Sequence, residues 1–320
     1  MKAWQVRRLG TPADALELAE VPDPVAGPGE LLVRVEACAL NFPDVLMCAG
    51  SYQEKPDLPF TPGLEICGTV VGEDRRVLGG PPLPHGGLAE LAVLPADGAF
   101  DVPAAMPADE AASLLITYQT AYVGLHRRAR LQAGEWLLVH AGAGGVGSAA
   151  IQVGLAAGAR IIATAGGPEK TAVCRQLGAH EVIDYRAEDI AARVKELTGG
   201  HGADVVWDPV GGDVFDASRR CIAFEGRLVV VGFTAGRIPS VPAGHVLVKN
   251  YSVVGLHWGL YRQQDPGVIA AAHEALKDLY AAGSIKPLVS ERVPMAEAPA
   301  ALTRLGSRGT VGKVVVLPWS

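Results

Sequence analysis

The chain has 320 residues, 49% of them hydrophobic and 19% charged, so it can bury a large core and does not read as a disordered protein. At ~150 residues per domain, that length predicts two domains. A net charge of −6 and a pI near 5.8 argue against a nucleic-acid binder, and no apolar run is long enough to predict a signal peptide or a membrane span.

The first hundred residues are punctuated by Pro and Gly every 8–12 positions, between short apolar runs such as LLVRVEACAL and ICGTVVG. That rhythm predicts an irregular β-rich domain. A helix is predicted from Asp109 to Arg130, with acidic residues in its first turn, basic ones in its last, and Gly134 beyond it. EWLLVH, ARIIATA, ADVVWDP, GRLVVVGF and YSVVGLHW then read as buried strands. Helical segments near 147–157, 168–178, 187–198 and 213–223 separate them, and the alternation predicts a doubly wound parallel sheet. A further helix begins after Asp265, its expected N-cap, and ends before Gly283. The five cysteines are odd in number and contain no CxxC, which predicts reduced, buried thiols in a cytoplasmic protein.

Within LVHAGAGGVGSAAIQVG, Gly142, Gly144 and Gly147 fit G-x-G-x-x-G between a strand and a helix. One glycine makes the turn, one admits a pyrophosphate, and one lets the helix pack on the strand. Gly145 and Val146 open the helix, whose N-terminal N–H groups and dipole suit phosphates. A glycine-rich packing turn is the alternative. An NAD site expects an acid at the end of the second strand, about 20 residues on. That strand ends in Ala165, Gly166 and Gly167, and Lys170 follows, which favours NADP(H) over NAD(H).

The stretches LNFPDVLMCAGSYQ, PFTPGLEICGTVVG, TYQTAYVGLHRRARLQAGEWLLVHAGAGGVGSAAIQ, LGAHEVIDYRAEDI and RGTVGKVVV resemble the medium-chain dehydrogenase/reductase superfamily. Within it, the chain is most similar to the zinc-free quinone oxidoreductase branch. The resemblance implies a GroES-like catalytic domain built from residues 1–118 and 259–320, around a Rossmann domain of residues 119–258. Where zinc-dependent members of that superfamily carry Cys and His ligands, this chain has Asn41 and Leu64, neither a good zinc ligand. The four-cysteine structural lobe is also missing, so no metal is expected.

Without a Lewis acid, hydride delivery from NADPH to a quinone or enone is easier than alcohol oxidation, because a conjugated acceptor spreads the incoming charge itself. The resemblance puts Asn41 beside the nicotinamide and the substrate oxygen; the alternative is an asparagine that ties down its own loop. Tyr52 is either a carbonyl contact and proton donor or a tyrosine packed at a domain edge. Thr120 and Tyr122 match the helix that meets the coenzyme. Lys170, Tyr185 and Arg308 match the surroundings of the 2′-phosphate, with Arg304 a rival to Arg308. Val210, Gly232 and Phe233 follow strand ends, where ligands collect in such sheets. Leu256, His257 and Trp258 are expected to approach the nicotinamide or line the acceptor slot.

The chain departs from the family in having Gly166–Gly167 where Ser or Thr often bonds the 2′-phosphate, in lacking an Arg near Met47, and in a shortened loop before Asp74. The edge strand near Tyr251–Trp258 resembles the one through which these enzymes form homodimers. An enoyl-thioester reductase and a non-catalytic NADPH-binding protein are the competing readings.

Overall fold

The computed structural model describes residues 1–320. They form two compact units, one of residues 1–116 with 287–320 and one of residues 117–286.

The second unit is built on six strands, all parallel, in the spatial order Glu181–Asp184, Arg160–Ala165, Trp136–Val139, Ala203–Asp208, Ile222–Val230, Ser252–Gly255. This is the doubly wound order, with the first strand of the sequence at the centre and the order reversing beside it. All four residues of Trp136–Val139 are buried, which explains their unbroken apolar run: both faces of a central parallel strand are covered. Trp136, Leu138, Ile162, Val206 and Phe215 form part of one core cluster. The strand Glu181–Asp184 has only Ile183 buried and carries too few apolar residues to stand out in the sequence.

Residues 259–286 are expected above in the catalytic domain, but the fold assigns them to the Rossmann unit. Ile269, Ala272, His273 and Leu276, spaced along one face of helix Pro266–Ala281, are buried. That helix packs beside residues Val123–Arg128. Lys286 is pinned at the end: its N–H donates to Gln152 Oε1 (2.6 Å), and its carbonyl accepts from Tyr118 Oη (3.0 Å).

The single helix expected over 109–130 is three pieces: Ala108–Ala112, Ile116–Tyr122 and a π-helical stretch Val123–Arg128. Two departures from the helical ladder explain the break. Ser113 Oγ donates back to the Asp109 carbonyl (2.8 Å), and the Ile116 N–H goes to the Glu65 carboxylate (2.7 Å).

The first unit is β-rich, as expected. Its larger sheet runs Val289–Pro294, Lys313–Leu317, Glu30–Ala39, Ile66–Val70, Arg76–Gly79, Phe100–Asp101, with Leu91–Pro95 also paired to Glu30–Ala39. Lys313–Leu317 lies antiparallel to Glu30–Ala39, with Val316 opposite Cys38, so the two ends of the chain share one sheet. Val35, Phe60, Ile66, Leu94 and Val316 lie in its core. All five cysteines are free and buried. No helix is long and apolar enough to cross a membrane.

Candidate coenzyme and acceptor sites

In the second unit the glycine turn follows strand Trp136–Val139. Ala141 takes a left-handed conformation (φ 51°), and the Gly142 N–H donates to the Thr164 carbonyl (2.9 Å). Helix Gly145–Ala156 then starts from Gly144. Each motif glycine has a separate steric reason. A Cβ on Gly142 would press on Cys174 Sγ (2.8 Å) and the Ala163 Cβ (3.1 Å). On Gly147 it would run into the Ala141 carbonyl oxygen. On Gly144 it would meet only that oxygen, at 3.3 Å, and otherwise face open space. The first glycine therefore serves packing, the third lets the helix close on the turn, and the second leaves backbone open for a ligand. The first helical N–H groups have no intrahelical partners and no acidic side chain beside them. This cradle fits a dinucleotide diphosphate.

Strand Arg160–Ala165 ends without a carboxylate, and Gly167 (φ 87°) precedes helix Pro168–Gln176, which carries Lys170 in its first turn. Asp184 lies one strand further out. Its Oδ1 accepts the N–H groups of Gly167 and Arg186, both at 3.0 Å. The Gly167 bond is the main cause holding its pKa below the usual carboxylate value. Tyr185 is exposed and lies against Gly166.

The loops after the next two strands are laced together: Thr234 N–H donates to the Pro209 carbonyl (3.1 Å) and Ala235 N–H to the Val210 carbonyl (2.9 Å). Val210, Gly232 and Phe233 therefore share one place at the strand ends. Asp208 fixes it by accepting the N–H groups of Val210 (2.8 Å) and Gly211 (2.9 Å), although burial raises its pKa. Leu256 is tied to Val230 and packs where Gly124 lacks a side chain. His257 caps helix Trp258–Gln264 and is exposed, whereas the Trp258 indole N–H is buried and unpartnered. Thr120 is buried; Tyr122 stacks on His126 with centroids 4.3 Å apart. Beside Thr120, Gln119 is fully buried with both amide atoms unpartnered.

In the first unit Asn41 precedes helix Phe42–Cys48 and sits in a buried polar cluster. Its Nδ2 donates to the Ala39 carbonyl (3.1 Å) and Glu65 Oε1 (2.9 Å). Its Oδ1 accepts from Lys313 Nζ (2.8 Å), and its N–H donates to Asp44 Oδ2 (2.8 Å). Both amide protons are committed within the cluster, to the Ala39 carbonyl and to Glu65. Asp44 also accepts from Gly63 N–H (2.9 Å), and burial pushes its carboxyl up to about 6.

The cluster does not fit a metal. An amide and Leu64 stand where ligands would, Lys313 brings a positive charge to Glu65 beside Asn41, and no three His, Cys, Asp or Glu side chains converge. Tyr52 is half-buried against the core, and burial, with Glu54 and Asp44 adding to it, pushes its phenol up to about 12. Arg308 lies in a left-handed turn (φ 61°) after helix Ala298–Gly306. Its rival Arg304 is engaged with Glu291 at 2.6 Å.

Glu65, Lys313, Asp44 and Gln119 carry no role in the sequence reading. The signal for the first two was present: single charges in PGLEICG and GKVVVLP, stretches that otherwise read as core.

Two family profiles match the chain: an alcohol dehydrogenase GroES-like domain over residues 27–104 and a zinc-binding dehydrogenase over residues 145–274. A quinone oxidoreductase-like protein 2 homolog of Nematostella vectensis is 40% identical over 303 residues, covering 91% of this chain and 82% of that one. A quinone oxidoreductase of Pseudomonas aeruginosa is 35% identical over 99% of both chains. Among solved structures, the quinone oxidoreductase from Thermus thermophilus, also solved in complex with NADPH, superposes with a TM-score of 0.88. It is 37% identical and covers 99% of this chain and 100% of its own.

Proposed function

This chain belongs to the quinone oxidoreductase branch of the medium-chain dehydrogenase/reductase superfamily, and from that membership we propose that it binds NADPH and transfers hydride, without a metal, to a quinone or α,β-unsaturated carbonyl. The observation that carries the coenzyme half is the glycine turn, where Gly144 leaves backbone open at the head of a helix with no acid in its first turn. The missing acid after Ala165, with Lys170 and Tyr185 nearby in the same unit, supports the phosphorylated coenzyme. The metal-free half is supported by the Asn41–Glu65–Lys313 cluster, whose donors and charges already satisfy one another.

The coenzyme, when bound, supplies the hydride. The chain's own residues hold it and present a donor to the acceptor's oxygen as charge develops there. Of the two polar candidates in the first unit, Tyr52 has a proton to offer: its phenol stays protonated throughout the neutral range. Asn41 contributes the position of its loop.

We place the protein in the cytoplasm, where five free thiols stay reduced. A homodimer through the sheet edge at Ser252–Gly255 is part of the same reading. Phe224, Leu247 and Val248 leave apolar surface exposed in the neighbouring elements, and a paired edge would protect a strand that now ends the sheet.

The test is coenzyme oxidation by the purified full chain against a naphthoquinone, an enone and crotonyl-CoA, with NADPH and NADH in parallel, and light scattering of the same sample. Turnover of the quinone or enone with NADPH, by a dimer, is expected. Preference for crotonyl-CoA supports the thioester reductase instead. No turnover of any acceptor, with NADPH still bound, supports the non-catalytic protein.

A further inference from the structure

Gly166 and Gly167 differ in why they are glycine. Gly167 has φ 87°, a conformation that excludes most side chains, whereas Gly166 has no such requirement. What lies against Gly166 is the ends of two side chains, which a side chain there would have to displace. A Cβ there would come within 2.5 Å of Tyr185 Oη and 3.0 Å of Arg186 Nε, and one on Gly167 within 3.1 Å of Arg186 Nη1. The Arg186 guanidinium thus lies across the bare backbone at the end of the second strand, where a serine or threonine would otherwise project.

We propose that Arg186 is a specificity residue for the coenzyme's 2′-phosphate, supplying from the third strand's end the contact that a hydroxyl at position 166 would have made. The inference rests on the NADPH reading above. The Arg186 backbone is fixed for the task. Asp184 Oδ1 accepts the N–H groups of both Gly167 and Arg186, which fastens the arginine to the glycine pair, and the Tyr185 N–H donates to the Ala165 carbonyl (3.2 Å).

The guanidinium itself makes no ion pair and no hydrogen bond to another side chain. Two of the acids around it have partners of their own. Asp184 is held by the two N–H groups, and Glu188 accepts the Asp184 N–H (2.9 Å) and pairs with Arg193 (3.3 Å). Glu169 lies in the first turn of helix Pro168–Gln176. A planar, permanently charged fork with free N–H groups suits a phosphate dianion better than a ribose hydroxyl. Arg186 and Lys170 would then approach that phosphate from two different elements.

The experiment measures dissociation constants of the full-length protein for NADPH and NADH, in the parent, Arg186→Gln and Arg186→Lys. Arg186→Gln is expected to weaken NADPH at least about tenfold, the scale of one charged hydrogen-bonded contact, and to leave NADH within about twofold. Arg186→Lys should fall between, since it keeps the charge and loses the fork. A parent that prefers NADPH, with the same NADPH-to-NADH ratio in Arg186→Gln, overturns the role of Arg186 alone. A parent that binds NADH more tightly overturns the coenzyme reading, and the inference with it.

Discussion

Lys313 and Glu65 stand 248 residues apart in sequence, yet Lys313 Nζ lies 2.7 Å from Glu65 Oε1, and neither side chain reaches solvent. Strands Lys313–Leu317 and Ile66–Val70 flank Glu30–Ala39, with Val316 and Ile66 both opposite Cys38, and this brings the two residues together. A buried ion pair is tolerable when its other donors and acceptors are met. Here they are: Nζ also donates to the Leu40 carbonyl and Asn41 Oδ1, and Glu65 Oε2 accepts the Ile116 N–H. Removing the cation alone strands a buried carboxylate. Lys313→Met is therefore expected to cost about 3–5 kcal/mol of stability by urea unfolding. Lys313→Met with Glu65→Gln should cost less than Lys313→Met alone. If the single variant unfolds at the parent's midpoint, the ammonium is not what neutralises Glu65.

The glycine turn predicts two different failures from the same substitution. Gly147→Ala drives a methyl into the Ala141 carbonyl, in backbone that cannot yield cheaply, so the folded state suffers first. A loss of about 2–4 kcal/mol is expected, in the range of overpacked or strained buried sites. Gly144→Ala meets one atom at 3.3 Å and otherwise points into space, so the protein should melt near the parent temperature. NADPH affinity should nonetheless fall about tenfold or more, because the methyl stands where the diphosphate reaches the backbone. Equal melting temperatures for the two variants would contradict this division of labour.

What the sequence disclosed was local. The glycine spacing, the buried strand runs and the Asp265-to-Gly283 helix limits are set by neighbours a few positions away, and they stand in the fold where periodicity puts them. What it concealed depends on partners far along the chain. The helix expected over 109–130 breaks because Glu65, just before strand Ile66–Val70, takes the Ile116 N–H. Helix Pro266–Ala281 belongs to the coenzyme unit because of what its apolar face meets, and an amphipathic pattern does not name its partner. Asn41 was found by its position, but the commitment of its amide follows from Glu65 and Lys313, which only the folded sheet brings near. The placement of Arg186 was hidden in the same way: that its side chain lies against Gly166–Gly167 follows from the neighbouring strand end.

Gln119 holds a fully buried amide with neither atom partnered in helix Ile116–Tyr122. Such a group forfeits its hydration without replacement, at roughly 1–3 kcal/mol. Gln119→Leu keeps most of the volume and removes the orphaned atoms. The coenzyme-free variant is expected to be more stable than the parent by about that amount in thermal or urea unfolding. A lower melting temperature would mean that the amide has a partner that leucine cannot replace.

His140 joins three elements just before the glycine turn. Its Nδ1 lies 3.0 Å from Thr164 Oγ1 and its Nε2 2.7 Å from Ser218 Oγ. Ser218 donates its only proton to the Val214 carbonyl, so it must accept from His140 Nε2–H, which leaves Nδ1 to accept from Thr164. That arrangement requires neutral imidazole, and burial lowers its pKa from the ordinary 6.5 to about 3. As pH falls below 6.5, the unfolded chain takes up a proton that the folded one refuses, so this residue's contribution to stability declines with acidity. Each pH unit costs about 1.4 kcal/mol, or about 2 kcal/mol between pH 7 and pH 5. His140→Gln removes that slope while losing the hydrogen bonds at every pH. Urea unfolding at the two pH values should therefore show the parent's advantage over His140→Gln shrinking by about 2 kcal/mol on acidification. An advantage that stays constant would mean that the imidazole protonates as readily in the folded protein as in the unfolded chain.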